Sequence, residues 1–172
     1  MEYSRVHYWH YLPEQEEEEI LESALSLSKK ARHDSLLNEI ALFIYQHTGA
    51  QYVLIGRLSD TLTHMHSLVF IENGLVLENF TYPVYGTPCY EAVSQKFCYY
   101  PCGVTEIFPE DEELKTLQIE SYLGTLILSE DQEQIGLTVL MDQKQIANPA
   151  FAEHLVTVLS PAIEEEIKTL RL

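Results

Sequence analysis

The hydrophobic period of this chain changes from about 3.6 residues to 2 and back again, and that order limits the fold more than any other feature. Ile20, Leu21, Ala24, Leu25 and Leu27 recur at the spacing of one helix face. The acidic run over residues 14–19 precedes them, where negative charge suits the positive end of a helix dipole. Lys29, Lys30 and Arg32 close the stretch. Leu36, Leu37, Ile40, Ala41 and Ile44 form a second stripe that ends at Gly49, a residue suited to a left-handed cap. One bent helix and two separate helices both fit this pattern.

From Gln51 the alternation is that of strands. Gln51–Leu58, His64–Glu72 and Leu75–Phe80 are the predicted segments, and Asn73-Gly74 is a hairpin turn between the last two. Pro83, Gly86 and Pro88 then interrupt regular structure. Thr87 is placed to cap a short helix from Pro88 to Lys96, Phe97–Tyr100 reads as extended, and Pro109–Ile119 reads as a helix with an acidic first turn. Ser121–Leu128 and Gln134–Met141 form a second hairpin. Asn148-Pro149 starts the last helix, which buries Phe151, Leu155, Val158, Leu159, Ala162 and Ile163 and continues to Ile167 and Leu170. Pro161 cannot bond to the Thr157 carbonyl, a loss of about 3 kcal/mol in a regular helix. The pattern therefore predicts a kink there, or a break with Ser160 capping a new helix. Hairpins dominate and no βαβ rhythm repeats, so the expected fold class is α+β with an antiparallel sheet.

Length allows one sizeable domain at 172 residues. Lys and Arg number 10 against 27 Asp and Glu, for a formal charge of −17, which repels phosphate backbones and anionic headgroups. Nucleic acid and membrane are excluded as expected partners. No apolar run is long enough to span a bilayer. The opening, with Tyr3, His7, Tyr8, Trp9 and Tyr11, lacks the pattern of a signal peptide, so the expectation is a cytoplasmic protein. There Cys89, Cys98 and Cys102 stay reduced, and an odd number cannot all pair within one chain.

Five segments carry a resemblance when taken in order. They are Gly86-Thr-Pro-Cys-Tyr, Cys98-Tyr-Tyr-Pro-Cys-Gly-Val, Ile107-Phe-Pro-Glu-Asp, Glu120-Ser-Tyr-Leu-Gly-Thr-Leu, and Ile135-Gly-Leu-Thr-Val-Leu-Met-Asp142 with Asn148-Pro downstream. Over residues 33–165 the chain resembles the GAF domains of bacterial sensory proteins. The resemblance implies a PAS-like α+β fold, a five- or six-stranded antiparallel sheet with the N- and C-terminal helices on one face. Short helices and loops would cover the other face and enclose a pocket. It divides the chain into an N-terminal segment and helix, residues 1–32, and the domain with its last helix, residues 33–172. The implied function is non-catalytic regulation by a small molecule, with a homodimer formed through residues 14–32 and 148–172. An effector such as a histidine kinase or diguanylate cyclase goes with that reading. The motif of cyclic-nucleotide-binding members is absent, and no Cys-His pair stands where a bilin would attach. No cofactor is therefore expected.

Within 82–122, Tyr82, Thr87, Cys89, Cys98, Tyr100, Phe108 and Tyr122 are the candidate pocket residues, because aromatic walls with hydroxyl tips suit an apolar site with a few polar groups. A filled core that merely roofs the sheet is the alternative. The three cysteines admit structural thiols, a redox sensor, or a zinc set completed by His64 or His66, although their spacing is not that of a zinc knuckle. Cys102 departs from the family pattern and is the expected exposed thiol and redox candidate. Free methionine sulfoxide reductases share this fold, but the cysteine-aspartate segment expected after Phe108-Pro109 is replaced by Glu110-Asp111. A dimerisation module without ligand is the remaining alternative. On the favoured reading, occupancy of the pocket or a change at Cys102 shifts the lid over 86–119 and biases the terminal helices.

Overall fold

Asn73 and Gly74 both adopt positive φ, 49° and 84°, which reverses the chain with the twist that flanking strands require. That turn sits in a computed structural model that describes residues 11–170. Tyr3, His7, Tyr8 and Trp9 of the aromatic opening lie outside the described residues.

Two helices precede the sheet, α1 (Gln15–Ser28) and α2 (Leu36–Thr48). They are separate because the intervening residues, 29–35, are charged or polar apart from one alanine and offer nothing to bury. Strands β1 (Tyr52–Leu58) and β2 (His64–Glu72) follow, then β3 (Leu75–Leu77) and β4 (Thr81–Pro83). Helix α3 (Pro88–Gln95), strand β5 (Phe97–Tyr100), helices α4 (Val104–Ile107) and α5 (Glu112–Thr116), the hairpin β6 (Ser121–Leu128) and β7 (Gln134–Asp142), and helix α6 (Pro149–Thr169) complete the order.

All pairings are antiparallel, in the order β3-β2-β1-β7-β6-β5, with β4 also on β2. The sheet has seven strands among the described residues, one more than expected, because the segment expected over Leu75–Phe80 ends at Leu77 and Thr81–Pro83 adds a short strand on β2. Ser67 sits opposite the gap between β3 and β4. Its hydroxyl accepts from the Phe80 amide at 2.7 Å and donates to the Asn79 side chain at 3.0 Å, so a side chain interrupts the backbone ladder.

A bulge between Ile55 and Gly56 sets the two faces of the sheet. One extra residue on β2 reverses the alternation, so Met65 and Phe70 face the same side despite odd spacing. On one face Val53, Ile55, Val69, Ile71, Leu123 and Leu140 pack under α2 and α6. On the other, Leu54, Met65, Phe70, Tyr122, Leu137 and Val139 lie beneath α3, α5 and their loops. Helix α1 is outermost and rests mainly on α6, with Ala24 its one fully buried side chain.

Helix α6 runs unbroken through Pro161, and Ser160 caps nothing; its hydroxyl donates to the Val156 carbonyl at 2.8 Å. Of the two expected outcomes, kink or break, the break fails for a positional reason. Thr157 and Pro161 are both exposed, so water solvates the carbonyl that proline leaves unpaired. Meanwhile Leu155, Leu159, Ala162, Ile163 and Ile167 are buried on the opposite side and hold the helix on the sheet. The expected helix over Pro109–Ile119 shrinks to α5, and α4 is an element that periodicity did not indicate.

Candidate functional site

A cavity of about 430 Å³ opens between the second face of the sheet and the segments that cross it. Its floor comes from alternate residues of neighbouring strands: Leu54 on β1, Phe70 on β2, Tyr122 on β6, and Val139 and Met141 on β7. Phe80, Tyr82 and the start of α3 form one wall; Asp111, Leu114 and Leu117 form the other. Glu110, Glu112 and Glu113 are exposed and sit at the mouth, as does Tyr85.

The aromatic wall is a continuous stack. Tyr52 and Phe70 lie with ring centroids 6.0 Å apart, Phe70 meets Phe80 edge-on at 5.1 Å, and Phe80 stacks on Tyr82 at 5.5 Å. At the inner end, the Cys89 sulfur receives the Tyr122 hydroxyl hydrogen at 3.1 Å and lies 3.2 Å from the Tyr82 hydroxyl. Burial pushes the Cys89 thiol up, against the opposing pull of the Tyr122 and Tyr82 hydrogen bonds. Burial also raises the Tyr122 and Tyr82 hydroxyls well above their ordinary range. The group is thus held neutral, and a neutral buried thiol is a poor nucleophile.

Thr87 stands at the first position before α3 without capping it with its side chain. Its hydroxyl turns back and donates to the Val84 carbonyl at 2.6 Å, closing the turn at Gly86. Gly86 has φ 82°, a backbone conformation that side chains with a Cβ resist. Asp111 caps α5 by accepting from the Leu114 amide at 3.2 Å. Burial pushes its carboxyl above the ordinary range, and the amides of Leu114 and Glu113 oppose that shift.

Tyr82, Thr87, Cys89 and Tyr122 line the cavity. Cys98, Tyr100 and Phe108 do not. Cys98 is buried beneath α3, its thiol 3.6 Å from the Pro88 carbonyl and pushed up by burial. Tyr100 packs edge-on against Phe108 at 5.5 Å and against Tyr122 at 6.4 Å, so this pair supports the lining from behind. Leu54, Phe70, Val139 and Met141 were legible in principle, since each shares a strand face with its neighbours. Asp111 and Leu114 fall within the expected lid over 86–119, but no residue signal marks them as lining, because only the fold of the loop brings them over the sheet.

Cys102 is exposed, and Cys89 and Cys98 are buried. His64 and His66 lie on β2, 3.0 Å from the Thr63 hydroxyl and 2.9 Å from the Thr81 hydroxyl respectively. Among the described residues no three of His, Cys, Asp and Glu are grouped as a metal ion would need.

No family model matches the chain, and no curated protein matches it. Solved structures do. The A. aeolicus nlh2 GAF domain in an inactive state aligns with a TM-score of 0.64 at 10% identity, over 91% of this chain and 97% of that one. The fold is that of a GAF domain.

Other structures with this GAF fold include the chromophore-binding domain of an unusual bacteriophytochrome from R. palustris, with TM-score 0.70 and 9% identity over 91% of this chain. The chromophore-binding domain of Stigmatella aurantiaca phytochrome P1 aligns with TM-score 0.66 and 12% identity over 96%. This chain spans 63% of the length of each of those two domains. The expected architecture, terminal helices on one face of an antiparallel sheet and short helices on the other, is thereby shown. Among the described residues no helix is long and apolar enough to cross a membrane.

Proposed function

We propose that this GAF domain is a non-catalytic regulator that senses a small molecule held in the aromatic-walled cavity. The cavity carries the reading. Its volume of about 430 Å³ and its mostly apolar lining with a few fixed polar groups are those of a small-molecule site. The buried Cys89 thiol at its inner end is kept neutral, which argues for binding over nucleophilic chemistry. Solved domains with the same fold include chromophore-binding domains of phytochromes, which supports a small-molecule role for this cavity.

Transmission runs from the roof to the terminal helices on this reading. Helix α1 is tied to the start of α6 by the Asn148 amide donating to Glu17 at 2.8 Å, and the loop that follows α1 is tied to α6 by the Arg32–Glu166 ion pair at 3.0 Å. The Tyr11 ring also meets His154 at 4.9 Å. A shift of α6 therefore carries α1 with it. The partners that go with this reading are a second copy, joined through residues 14–32 and 148–172, and a signalling effector such as a histidine kinase or diguanylate cyclase.

Native mass spectrometry of protein purified from its host tests the reading. A retained small molecule that is lost when Leu54→Trp fills the cavity supports it. A dimer with no retained or added molecule, equally stable with and without Leu54→Trp, supports a ligand-free scaffold instead.

A further inference from the structure

We infer that the molecule this cavity accepts is a small organic cation with an apolar body. The inference rests on the sensing reading above and adds the chemistry of the occupant. It follows from what the lining offers and what it withholds. Among the described residues no Lys, Arg or His lines the cavity, whereas Glu110, Asp111, Glu112 and Glu113 all do. Lys115 pairs with Glu112 at 3.1 Å and answers only one of these carboxylates. An anionic ligand would enter against this field with no cation to receive it.

Donors for an anion are also scarce within. Tyr122 has committed its hydroxyl hydrogen to the Cys89 sulfur, and Thr87 has committed its own to the Val84 carbonyl. The Thr81 hydroxyl is engaged with His66. What remains on offer is the Tyr82 and Tyr85 hydroxyls, acceptor oxygen at the mouth and aromatic faces along the wall. The Phe70, Phe80 and Tyr82 rings present π-systems, which attract a cation whose charge is spread over alkyl groups and is cheap to desolvate. The apolar floor of Leu54, Val139 and Met141 suits the body of the same molecule.

A methyl NMR titration of the full chain decides it, following Leu54, Leu114, Val139 and Met141. The probes are benzyltrimethylammonium, its uncharged isostere neopentylbenzene, and benzylsulfonate. The expected result is that the ammonium shifts these methyls and binds roughly tenfold tighter than neopentylbenzene, while benzylsulfonate leaves them unmoved. Combined Glu110→Gln, Glu112→Gln and Glu113→Gln, all at exposed positions, should weaken the ammonium severalfold and leave neopentylbenzene unchanged. If neopentylbenzene or benzylsulfonate binds as tightly as the ammonium, or the triple variant binds the ammonium as well as wild type, the cation inference fails and the pocket stands. If no probe moves these methyls, both readings fail together.

Discussion

Tyr122 on β6 donates its hydroxyl hydrogen to the sulfur of Cys89 on α3, 3.1 Å away and 33 residues back in the chain. The bond joins the floor of the sheet to the first helix of its roof. Tyr122→Phe keeps the ring and removes the donor, so it should cost about 1 kcal/mol in urea unfolding with an unchanged m-value. Cys89→Ala leaves both tyrosine hydroxyls without the sulfur and opens space, so it should cost about 2–3 kcal/mol. No cost for Tyr122→Phe would show that the hydrogen bond contributes nothing beyond packing.

Thiol reactivity should divide the cysteines by burial. Cys102 is exposed, whereas Cys89 and Cys98 are buried with thiols pushed up by desolvation. Ellman's reagent should label one thiol promptly in the native protein and the other two only on unfolding. Cys102→Ser should remove the prompt phase. Prompt labelling that survives this substitution would place an open path to the roof.

Alkali should destabilise the fold through Tyr52. Burial, then the hydrogen bond it donates to Glu72 at 2.8 Å, pushes its hydroxyl up from 10.0 to about 12. A folded value above the unfolded one means that the contribution is complete below about pH 10. It is then lost as pH rises through about 12. Melting temperature should fall across that window, and Tyr52→Phe should flatten the fall. Tyr82 and Tyr122, raised in the same direction, add to the slope and keep it from vanishing.

Replacing Pro161 should stabilise the protein. Pro161→Ala restores an N–H to the Thr157 carbonyl on an exposed turn of an otherwise regular helix. Greater freedom of the unfolded chain offsets part of that gain, leaving about 1–2 kcal/mol. Calorimetry should show a rise in melting temperature of about 2–4 °C per kcal/mol. No rise would mean that α6 already accommodates the missing bond at no cost.

Gly136 should tolerate no side chain. A Cβ there would meet the Gly56 carbonyl oxygen and come within 2.7 Å of Ile167 Cδ1, so neighbouring backbone as well as a core side chain must move. Gly136→Ala should cost about 3 kcal/mol. Gly49→Ala makes the useful contrast: nothing lies within 4 Å of its added Cβ, and the expected cost of about 1 kcal/mol comes from φ 69° alone.

Much of the architecture was legible because each strong local signal agreed with its neighbours. Asn73-Gly74 gave the β2–β3 hairpin, Asn148-Pro149 started α6, and the strand over His64–Glu72 has the expected bounds. The errors share a cause. The early end of the strand expected over 75–80 goes with contacts from Ser67, more than ten residues from Asn79 and Phe80, and the absence of a break in α6 at Pro161 depends on which side of the helix faces water. Neither is written in local propensity.

The cavity followed the same division. Aromatics between Tyr82 and Tyr122 marked the region, and four of the seven candidate residues line the space. Cys98, Tyr100 and Phe108 stand behind it, because pleat and packing, not residue type, choose which rings face inward.

The order of residues by itself determined the alternation of helix and strand, the antiparallel hairpins and the acidic surface, since these arise from periodicity, turn chemistry and charge. Only tertiary structure decided that a bulge in β1–β2 would turn Met65 and Phe70 to one face. It alone brought Asp111 and Leu114 across that face, and the Tyr122 hydroxyl to the Cys89 sulfur. Those relationships join residues far apart in the chain, and contacts of that kind exist only once the sheet and its roof have packed.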